Sequence, residues 1–256
     1  MSALSSAVSF EMTKARTVRS TVWSLILCVL VSVAIALLFG WVLRGAYDDM
    51  SPEGKANFDP VASGYNGLRL GMITLVVFAV LLVSGEFSTG TIRSSLAAVP
   101  RRGRFFAAKV ITGTAIALAV SVVTTFLTFF TAQTAIGSAH NASLTDDGAL
   151  AATFGAICYL TLLATFSMGM AAVLRSPALS LGILVPLFFI VSEILNNLPG
   201  VRKVAQFLPD AAGQIMMRGD PPEGTILNGW TGLGALTLWT AAALLGGYAS
   251  LRRRDV

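Results

Sequence analysis

The polar residues that could do chemistry in this chain are concentrated in one stretch, Ser84–Lys109, with the sequence SGEFSTGTIRSSLAAVPRRGRFFAAK. Its single carboxylate is Glu86. Its five basic residues are Arg93, Arg101, Arg102, Arg104 and Lys109. One carboxylate among cations can form ion pairs, whereas hydrolytic chemistry needs a positioned base within hydrogen-bond reach of the reacting group. The stretch therefore predicts a contact surface rather than a catalytic site.

The rest of the sequence contains no recognisable catalytic arrangement. His140 is the only histidine, and neither an H-E-x-x-H motif nor a Ser–His or paired-carboxylate arrangement is found within an apolar segment. The phosphate-binding pattern G-x-x-x-x-G-K-[ST] is missing, because Gly54-Lys55 is followed by Ala56 and lacks the first glycine. We expect a chain that is not an enzyme and binds no cofactor or metal itself, so that any ATP hydrolysis occurs on another polypeptide.

Composition places these residues in a membrane protein. Hydrophobic residues make up 55% of 256 positions, charged residues only 12%, and mean hydropathy is +0.75, whereas a soluble domain has about 25% charged residues. Apolar stretches of about 20 residues are long enough to cross the hydrocarbon layer as helices. The predicted spans are Thr21–Leu43, Leu68–Ser84, Phe105–Ala132, Leu150–Leu174, Ala178–Leu198 and Trp230–Leu251. We predict an all-α polytopic fold with a kink at Pro186 in the fifth span.

The distribution of charge predicts the orientation of the chain. An even number of spans puts both termini on one side, and basic residues favour the cytoplasmic side. With both termini inside, the inner segments hold 12 of the 18 Lys and Arg residues and 3 of the 13 acidic residues. The excess of basic residues therefore reflects topology and lipid headgroups, and we expect no nucleic-acid partner.

Two segments outside the spans have a recognisable character. Residues 1–20 predict an amphipathic helix in the inner headgroup plane, although Phe10 and Glu11 interrupt its pattern, and a disordered basic tail is the alternative. The apolar positions are Leu4, Ala7, Val8, Met12, Ala15 and Val18. Residues 199–229 mix apolar residues with prolines and glycines, which predicts broken helices that re-enter the outer leaflet.

The stretch that contains Glu86 predicts a short helix parallel to the membrane. Ser88 or Thr89 can cap its start, and Pro100 ends it. Three apolar residues share one face at helical spacing, namely Ile92, Leu96 and Val99. We expect this stripe to face the cytoplasm and fill the groove of a partner, or else to lie on the bilayer.

Two carboxylates near span ends are candidate functional groups, because an unpaired charge there is costly. Glu86 is expected to pair with an arginine of its loop or to cap nearby backbone; a carboxylate in the headgroup layer is the alternative. Glu193 lies near the outer end of span five beside Asn196 and Asn197. It is a candidate for an outer gate or cargo contact, or it binds water and Lys203.

The loop resembles the signature loop of ABC-2-type transporter permeases. The matching residues are Gly85-Glu86, Gly90-Thr91, an apolar helix, Pro100-Arg101, Arg104 and Lys109, between the second and third of six spans as in that family. A second, shorter match consists of Glu193 followed by Leu208-Pro209.

The resemblance implies a single ABC-2-type transmembrane domain over residues 1–256. This permease subunit would work in a bacterial cell membrane as two copies or with a sister permease, above cytoplasmic ATPase subunits that bind ATP and Mg²⁺. It also implies an exporter, and the scarcity of charge within the spans favours a small amphipathic or hydrophobic cargo. Residues 1–20 would form the elbow helix, 85–104 the coupling loop and 199–229 the re-entrant region.

The resemblance also assigns roles to particular residues. The ATPase-coupling set is Glu86, Gly90, Thr91, Ile92, Arg93, Leu96, Val99, Pro100, Arg101, Arg104 and Lys109, with Ile92 and Leu96 seated in a groove of the ATPase. The outer gate or cargo set is Glu193, Asn196, Asn197 and Pro209. A secondary transporter is one alternative, although such folds usually show repeats and ionisable sites at the midplane. A membrane anchor or sensor that recruits an ATPase without transport is the other.

Overall fold

The computed structural model describes residues 3–99, 101–198, 200–218 and 224–253, and all regular secondary structure within these ranges is helical. The helices are α1 (Ala3–Thr17), α2 (Arg19–Ala46), α3 (Pro52–Ala56), α4 (Pro60–Ser63), α5 (Leu68–Thr89), α6 (Ile92–Ala98), α7 (Arg102–Ile136), α8 (Ala149–Leu174), α9 (Pro177–Pro186), α10 (Ser192–Asn197), α11 (Arg202–Ala205), α12 (Pro209–Gln214) and α13 (Gly229–Arg253). A π-helical turn, Leu187–Val191, joins α9 to α10, and a 3₁₀ turn, Ile215–Met217, follows α12.

Six helical segments of the described chain are long and apolar enough to cross a membrane, which confirms the predicted fold class. They are α2, α5, α7, α8, the α9–α10 segment and α13. Spans two and three are longer than predicted at their inner ends, because α5 continues to Thr89 and α7 already begins at Arg102. The polar residues between them are therefore mostly helical, and only a short connection and α6 separate the two spans.

The centre of the bundle is formed by α5 and α8, which pack against each other and against the surrounding spans. Small residues allow α2 to approach α5 closely, as is common between membrane helices. A Cβ atom added at Gly71 would lie 1.7 Å from the Ser32 hydroxyl, and one added at Gly67 would lie 2.1 Å from the Ser32 carbonyl oxygen. The position of span one against span two therefore depends on these two glycines.

Span five departs from α-helical geometry directly after Pro186, where the sequence predicts a kink. Proline has no N–H to donate to the carbonyl four residues earlier, and the chain continues as the π-helical turn Leu187–Val191 before α10 resumes. Such turns are often found at functional sites. This span also packs less extensively inside the chain than α5 or α8.

The segment between spans five and six is broken into short helices, as expected. Within its described residues, α12 packs against α8 and α13, and Pro209, Asp210, Ala212 and Gly213 are buried there. Residues 199 and 219–223 of the predicted re-entrant region lie outside the described residues. Entry of this segment into the outer leaflet stays a prediction.

Candidate functional site

The N-terminal segment is helical, and it buries an unexpected residue. Helix α1 runs from Ala3 to Thr17 and packs mainly against α7. Its buried positions are Ala7, Glu11 and Ala15, spaced by four residues along one face. The two alanines allow close approach, and Glu11 therefore reaches the interior of the bundle. The residue that interrupts the amphipathic pattern is thus the one that carries a polar contact.

Glu11 belongs to an ionic network of four side chains, Glu11, Lys14, Glu86 and Lys109, which we call the inner network; all but the half-buried Lys14 are buried. The Lys109 ammonium nitrogen donates to Glu11 Oε2 at 2.7 Å and to Glu86 Oε1 at 2.7 Å. Lys14 Nζ pairs with the same oxygen of Glu86. Lys109, Glu11 and Glu86 are only 1%, 2% and 4% exposed. The network joins α1, α5 and α7 where the two long helices approach α6.

The inner network is balanced in charge, with two carboxylates and two ammonium groups. Balance matters because an ion removed from water costs several kcal/mol, which only well-placed counter-charges offset. The Lys109 ammonium also lies 5.1 Å from the centre of the Phe105 ring, a favourable cation–π distance. One oxygen of each carboxylate, Glu11 Oε1 and Glu86 Oε2, has no hydrogen-bond partner among the described residues.

The network corrects both expectations for Glu86. Its partners are two lysines rather than an arginine of the loop, and its side chain is enclosed by the protein rather than exposed to lipid headgroups. The reason is that α5 extends past Glu86, which places this side chain between α1 and α7. Lys109, assigned to the coupling set, is also buried, so its side chain cannot itself form part of an exposed contact surface.

The start of α6 differs from the prediction as well. The hydroxyls of Ser88 and Thr89 donate to the carbonyl oxygen of Gly85, which keeps both residues in the last turn of α5, and α6 has no side-chain cap. Gly90 has φ 72°, a left-handed conformation that glycine adopts without steric cost. The chain reverses at Gly90 and enters α6 at Ile92.

The apolar stripe of α6 faces the bundle, so the prediction of an exposed stripe is wrong. Ile92 is 3% exposed and belongs to the main hydrophobic core, while Leu96 and Val99 are half-buried against that core. The turn at Gly90 presents this side of α6 to the bundle, and burial in the protein's own core is the most direct way to remove apolar surface from water. Pro100, predicted to end the helix, lies outside the described residues.

The opposite side of α6 is polar and exposed. It presents Arg93, Ser94 and Ala97. Thr91 precedes it with an exposed side chain whose hydroxyl lies 2.9 Å from that of Thr89. We call Arg93, Ser94, Ala97, Arg101 and Arg104, all of them exposed, the α6 outer face.

Two other arginines at the inner ends of the spans bind helix α13. Arg102 Nη1 donates to the carbonyl oxygen of Leu251 at 2.9 Å, and Arg175 Nη2 donates to that of Ser250 at 2.7 Å. Cations are favourable at these otherwise unpaired carbonyls at the end of a helix. Sequence analysis did not find these contacts, which fasten the last span to the ends of spans three and four.

At the outer side, Glu193 pairs with Arg69, not with Lys203. Both side chains are close to half-exposed, so the pair links the outer ends of spans two and five at the protein surface. Asn196 and Asn197 donate to the carbonyl oxygens of Ser192 and Glu193, each at 2.8 Å. Pro209, the fourth predicted residue of this set, is buried at the first position of α12.

The outer region contains one functional candidate that sequence analysis missed, Asp210. Its carboxylate is buried and accepts a 2.6 Å hydrogen bond from the Ser192 hydroxyl. Burial raises the pKa of Asp210 to about 6, against stabilising hydrogen bonds from Ser192 and nearby backbone. Asp210 lines a small cavity of about 90 Å³ together with Glu193, Asn196 and other polar residues. In the sequence, this site was indicated only by an acidic residue, Asp210, directly after Pro209.

The family model described as ABC-2 family transporter protein matches residues 7–192, nearly three quarters of the chain. The chain belongs to the ABC-2 family of transporter proteins. The matched range contains all four residues of the inner network and the whole of α6. No curated protein matches the sequence. The family and the six spans make this chain a multi-pass ABC permease, a membrane transport subunit of a transporter that works with an ATPase subunit.

Proposed function

We propose that this ABC-2 permease is the membrane-spanning subunit of an ATP-driven exporter and that α5, α6 and α7 transmit the movement of the ATPase to the spans. The observation that carries the proposal is the inner network, because Glu86 and Lys109 join the two helices that flank α6 by a buried ion pair. Glu11 and Lys14 extend the same connection to α1.

The physical argument is that a membrane helix responds to ATP only through a contact that differs between two states of the ATPase. A connection made of flexible loop would absorb such a movement. Here, the contacts of the buried Ile92 and the half-buried Leu96 hold α6 to the core, and the inner network holds α5 and α7 together. A displacement of α6 therefore moves the inner ends of spans two and three.

The proposed assembly contains two permeases, identical or sister chains, and two ATPase subunits that bind ATP and Mg²⁺. Span one and span five support a permease pair, because each buries only a small part of its apolar residues inside the single chain. The assembly would sit in a bacterial cell membrane with cytoplasmic termini and surrounding lipid. The proposed cargo is a small amphipathic or hydrophobic compound, since charged residues are scarce within the six spans.

At the outer side, we propose that the Arg69–Glu193 ion pair is part of the exit gate. It connects spans two and five at their outer ends, and span five contains the π-helical turn. Asn196, Asn197 and Pro209 would act indirectly in this gate, through the position of α10 and α12.

The test uses the permease co-produced with its ATPase and reconstituted into liposomes. Efflux of an amphipathic fluorescent dye and ATP hydrolysis are measured together. Gly90→Ala forces a side chain into the left-handed turn and shifts α6, so we expect ATP hydrolysis to persist while efflux falls. Gly85→Ala is the matched control, because nothing lies within 4 Å of a Cβ atom added there.

Two results would contradict the proposal. Dye efflux without the ATPase would indicate a secondary transporter. A stable complex with the ATPase that moves none of a broad panel of amphipathic compounds would indicate an anchor or sensor. Leu96→Asp is not a selective test of docking, because Leu96 packs against the core and a buried carboxylate would destabilise the fold.

A further inference from the structure

We propose that this permease docks onto its ATPase through the polar, cationic α6 outer face, and that the receiving groove of the ATPase is acidic. The inference rests on the proposed function and reverses the sequence-based expectation that an apolar stripe fills the groove. It assigns a chemistry to the partner surface, which neither the family nor the fold specifies.

Helix α6 is oriented with its apolar side toward the bundle and its polar side outward. Ile92 and Ser95 are buried, and Leu96 is half-buried in contact with the main core. Arg93 and Ser94 point away from the bundle and are exposed. A protein that approaches α6 from the cytoplasm therefore meets guanidinium and hydroxyl groups, unless the core of the permease opens.

The α6 outer face is positively charged. Residues 87–108 contain four arginines and neither aspartate nor glutamate. The carboxylate that precedes them, Glu86, is buried and bound to two lysines, so it does not neutralise the exposed side. Arg102 is engaged by the Leu251 carbonyl. The other three, Arg93, Arg101 and Arg104, are exposed, and their guanidinium groups form no hydrogen bond or ion pair within the described residues.

The chemistry of the α6 outer face fits a protein groove better than a lipid bilayer. A helix that lies on a bilayer presents its apolar side to the lipid, but that side of α6 is turned into the bundle. The exposed side fits a groove lined with carboxylates, because the planar guanidinium binds a carboxylate through two parallel hydrogen bonds. A positive surface opposite a negative groove also speeds association and selects the partner. The occupant that best fits the α6 outer face is thus an acidic protein groove.

The experiment measures the affinity of the complete permease for its ATPase in nanodiscs made of phosphatidylcholine alone and in nanodiscs with one part phosphatidylglycerol to two parts phosphatidylcholine. The test variant is Arg93→Glu, Arg101→Glu and Arg104→Glu together. The control variant reverses three exposed basic residues of α1 and α13, Arg16→Glu, Arg252→Glu and Arg253→Glu. A milder triple variant with glutamine at the three α6 positions provides the measurement if charge reversal prevents folding.

We expect the test variant to bind the ATPase at least about tenfold more weakly in both lipid mixtures, with the control variant close to the unaltered protein. Added salt should weaken the complex of the unaltered protein. Substitution of lysine for acidic residues of the ATPase groove should restore binding to the test variant.

Equal affinity of test and control variants would overturn the inference. It would also be overturned if binding depended on phosphatidylglycerol but not on the three arginines, since the α6 outer face would then be a lipid surface. Failure of the unaltered permease to bind any ATPase would instead refute the proposed function.

Discussion

Replacement of Lys109 by methionine is the most direct test of the inner network. Methionine preserves an unbranched side chain of similar length, so the change removes mainly the ammonium group. Among the described residues, the Glu11 carboxylate then loses its one hydrogen-bond donor, and the Glu86 carboxylate keeps only Lys14. The buried network changes from balanced to one excess negative charge.

The expected cost follows from the burial of these groups. Removal of one partner from a buried ion pair destabilises a protein by about 3–5 kcal/mol, because the remaining charge is left without compensation. Lys109 and Glu11 are almost completely buried, so this range applies without a large discount for solvent. A native protein is stable by about 5–15 kcal/mol. Lys109→Met should therefore remove a large fraction of the stability.

A second variant distinguishes the loss of charge balance from the loss of packing. Glu11→Leu combined with Lys109→Met removes one charge of each sign and leaves Glu86 paired with Lys14. Replacement of a buried ion pair by apolar residues of similar volume is often neutral or stabilising. The double variant should thus regain most of the stability that Lys109→Met loses, although it contains more substitutions.

The assay is unfolding of the purified permease by a graded titration with sodium dodecyl sulfate in mixed micelles, followed by tryptophan fluorescence. Lys203→Met, at an exposed lysine of α11, is the control and should change the free energy of unfolding by less than about 0.5 kcal/mol. The reasoning is refuted if Lys109→Met costs less than about 1 kcal/mol or if the double variant is no more stable than Lys109→Met.

Three further predictions concern other parts of the fold. Burial raises the pKa of Asp210 from 3.8 to about 6, so the folded protein binds the proton of this carboxyl group more tightly than the unfolded chain does. The resulting stabilisation is complete below about pH 4 and disappears as pH rises through about 6. In a series of unfolding midpoints measured across this pH range, Asp210→Asn should remove the decrease in stability. Gly71→Ala should lower the thermal unfolding temperature strongly because its Cβ atom would collide with span one, whereas Gly85→Ala should not. Glu193→Gln should change the free energy of unfolding by less than about 1 kcal/mol in denaturant titration, because its pair with Arg69 is exposed.

The membrane-spanning part of the fold could be predicted because it depends on local properties of the sequence. Apolar stretches of sufficient length give helices in lipid whatever the tertiary contacts, and the disturbance after Pro186 follows from the missing N–H of proline. The ends of the spans were less predictable. Helix α5 continues past Glu86 to Thr89, and the partners of this carboxylate come from α1 and α7. No local sequence pattern identifies partners that are so distant in the chain.

The inner network could not be predicted because its members are distant in the sequence. Glu11 and Lys109 are 98 residues apart, and Glu86 and Lys14 are 72 apart. The sequence did contain a signal, since Glu11 breaks an otherwise amphipathic helix. A carboxylate on the apolar face of a helix costs too much to leave unpaired, so such a break indicates a buried partner elsewhere in the chain. The prediction that the apolar stripe of α6 faces outward was wrong for a related reason. Helical spacing identifies an apolar face, but it does not identify the part of the chain that covers this face.

The residues between spans two and three form two groups in the structure, one buried in the bundle and one exposed. Ile92, Glu86 and Lys109 are turned into the bundle and can only determine how α6 moves with the spans. Arg93, Arg101 and Arg104 are exposed and can only determine which surface α6 contacts. The proposed coupling and docking roles therefore predict two different results. Changes in the buried group should impair transport and stability with the exposed surface unchanged, whereas changes in the exposed group should impair docking in a stable protein. A structural element that must both bind a partner and transmit its movement needs this division, because one side chain cannot be buried in the core and exposed to the ATPase at the same time.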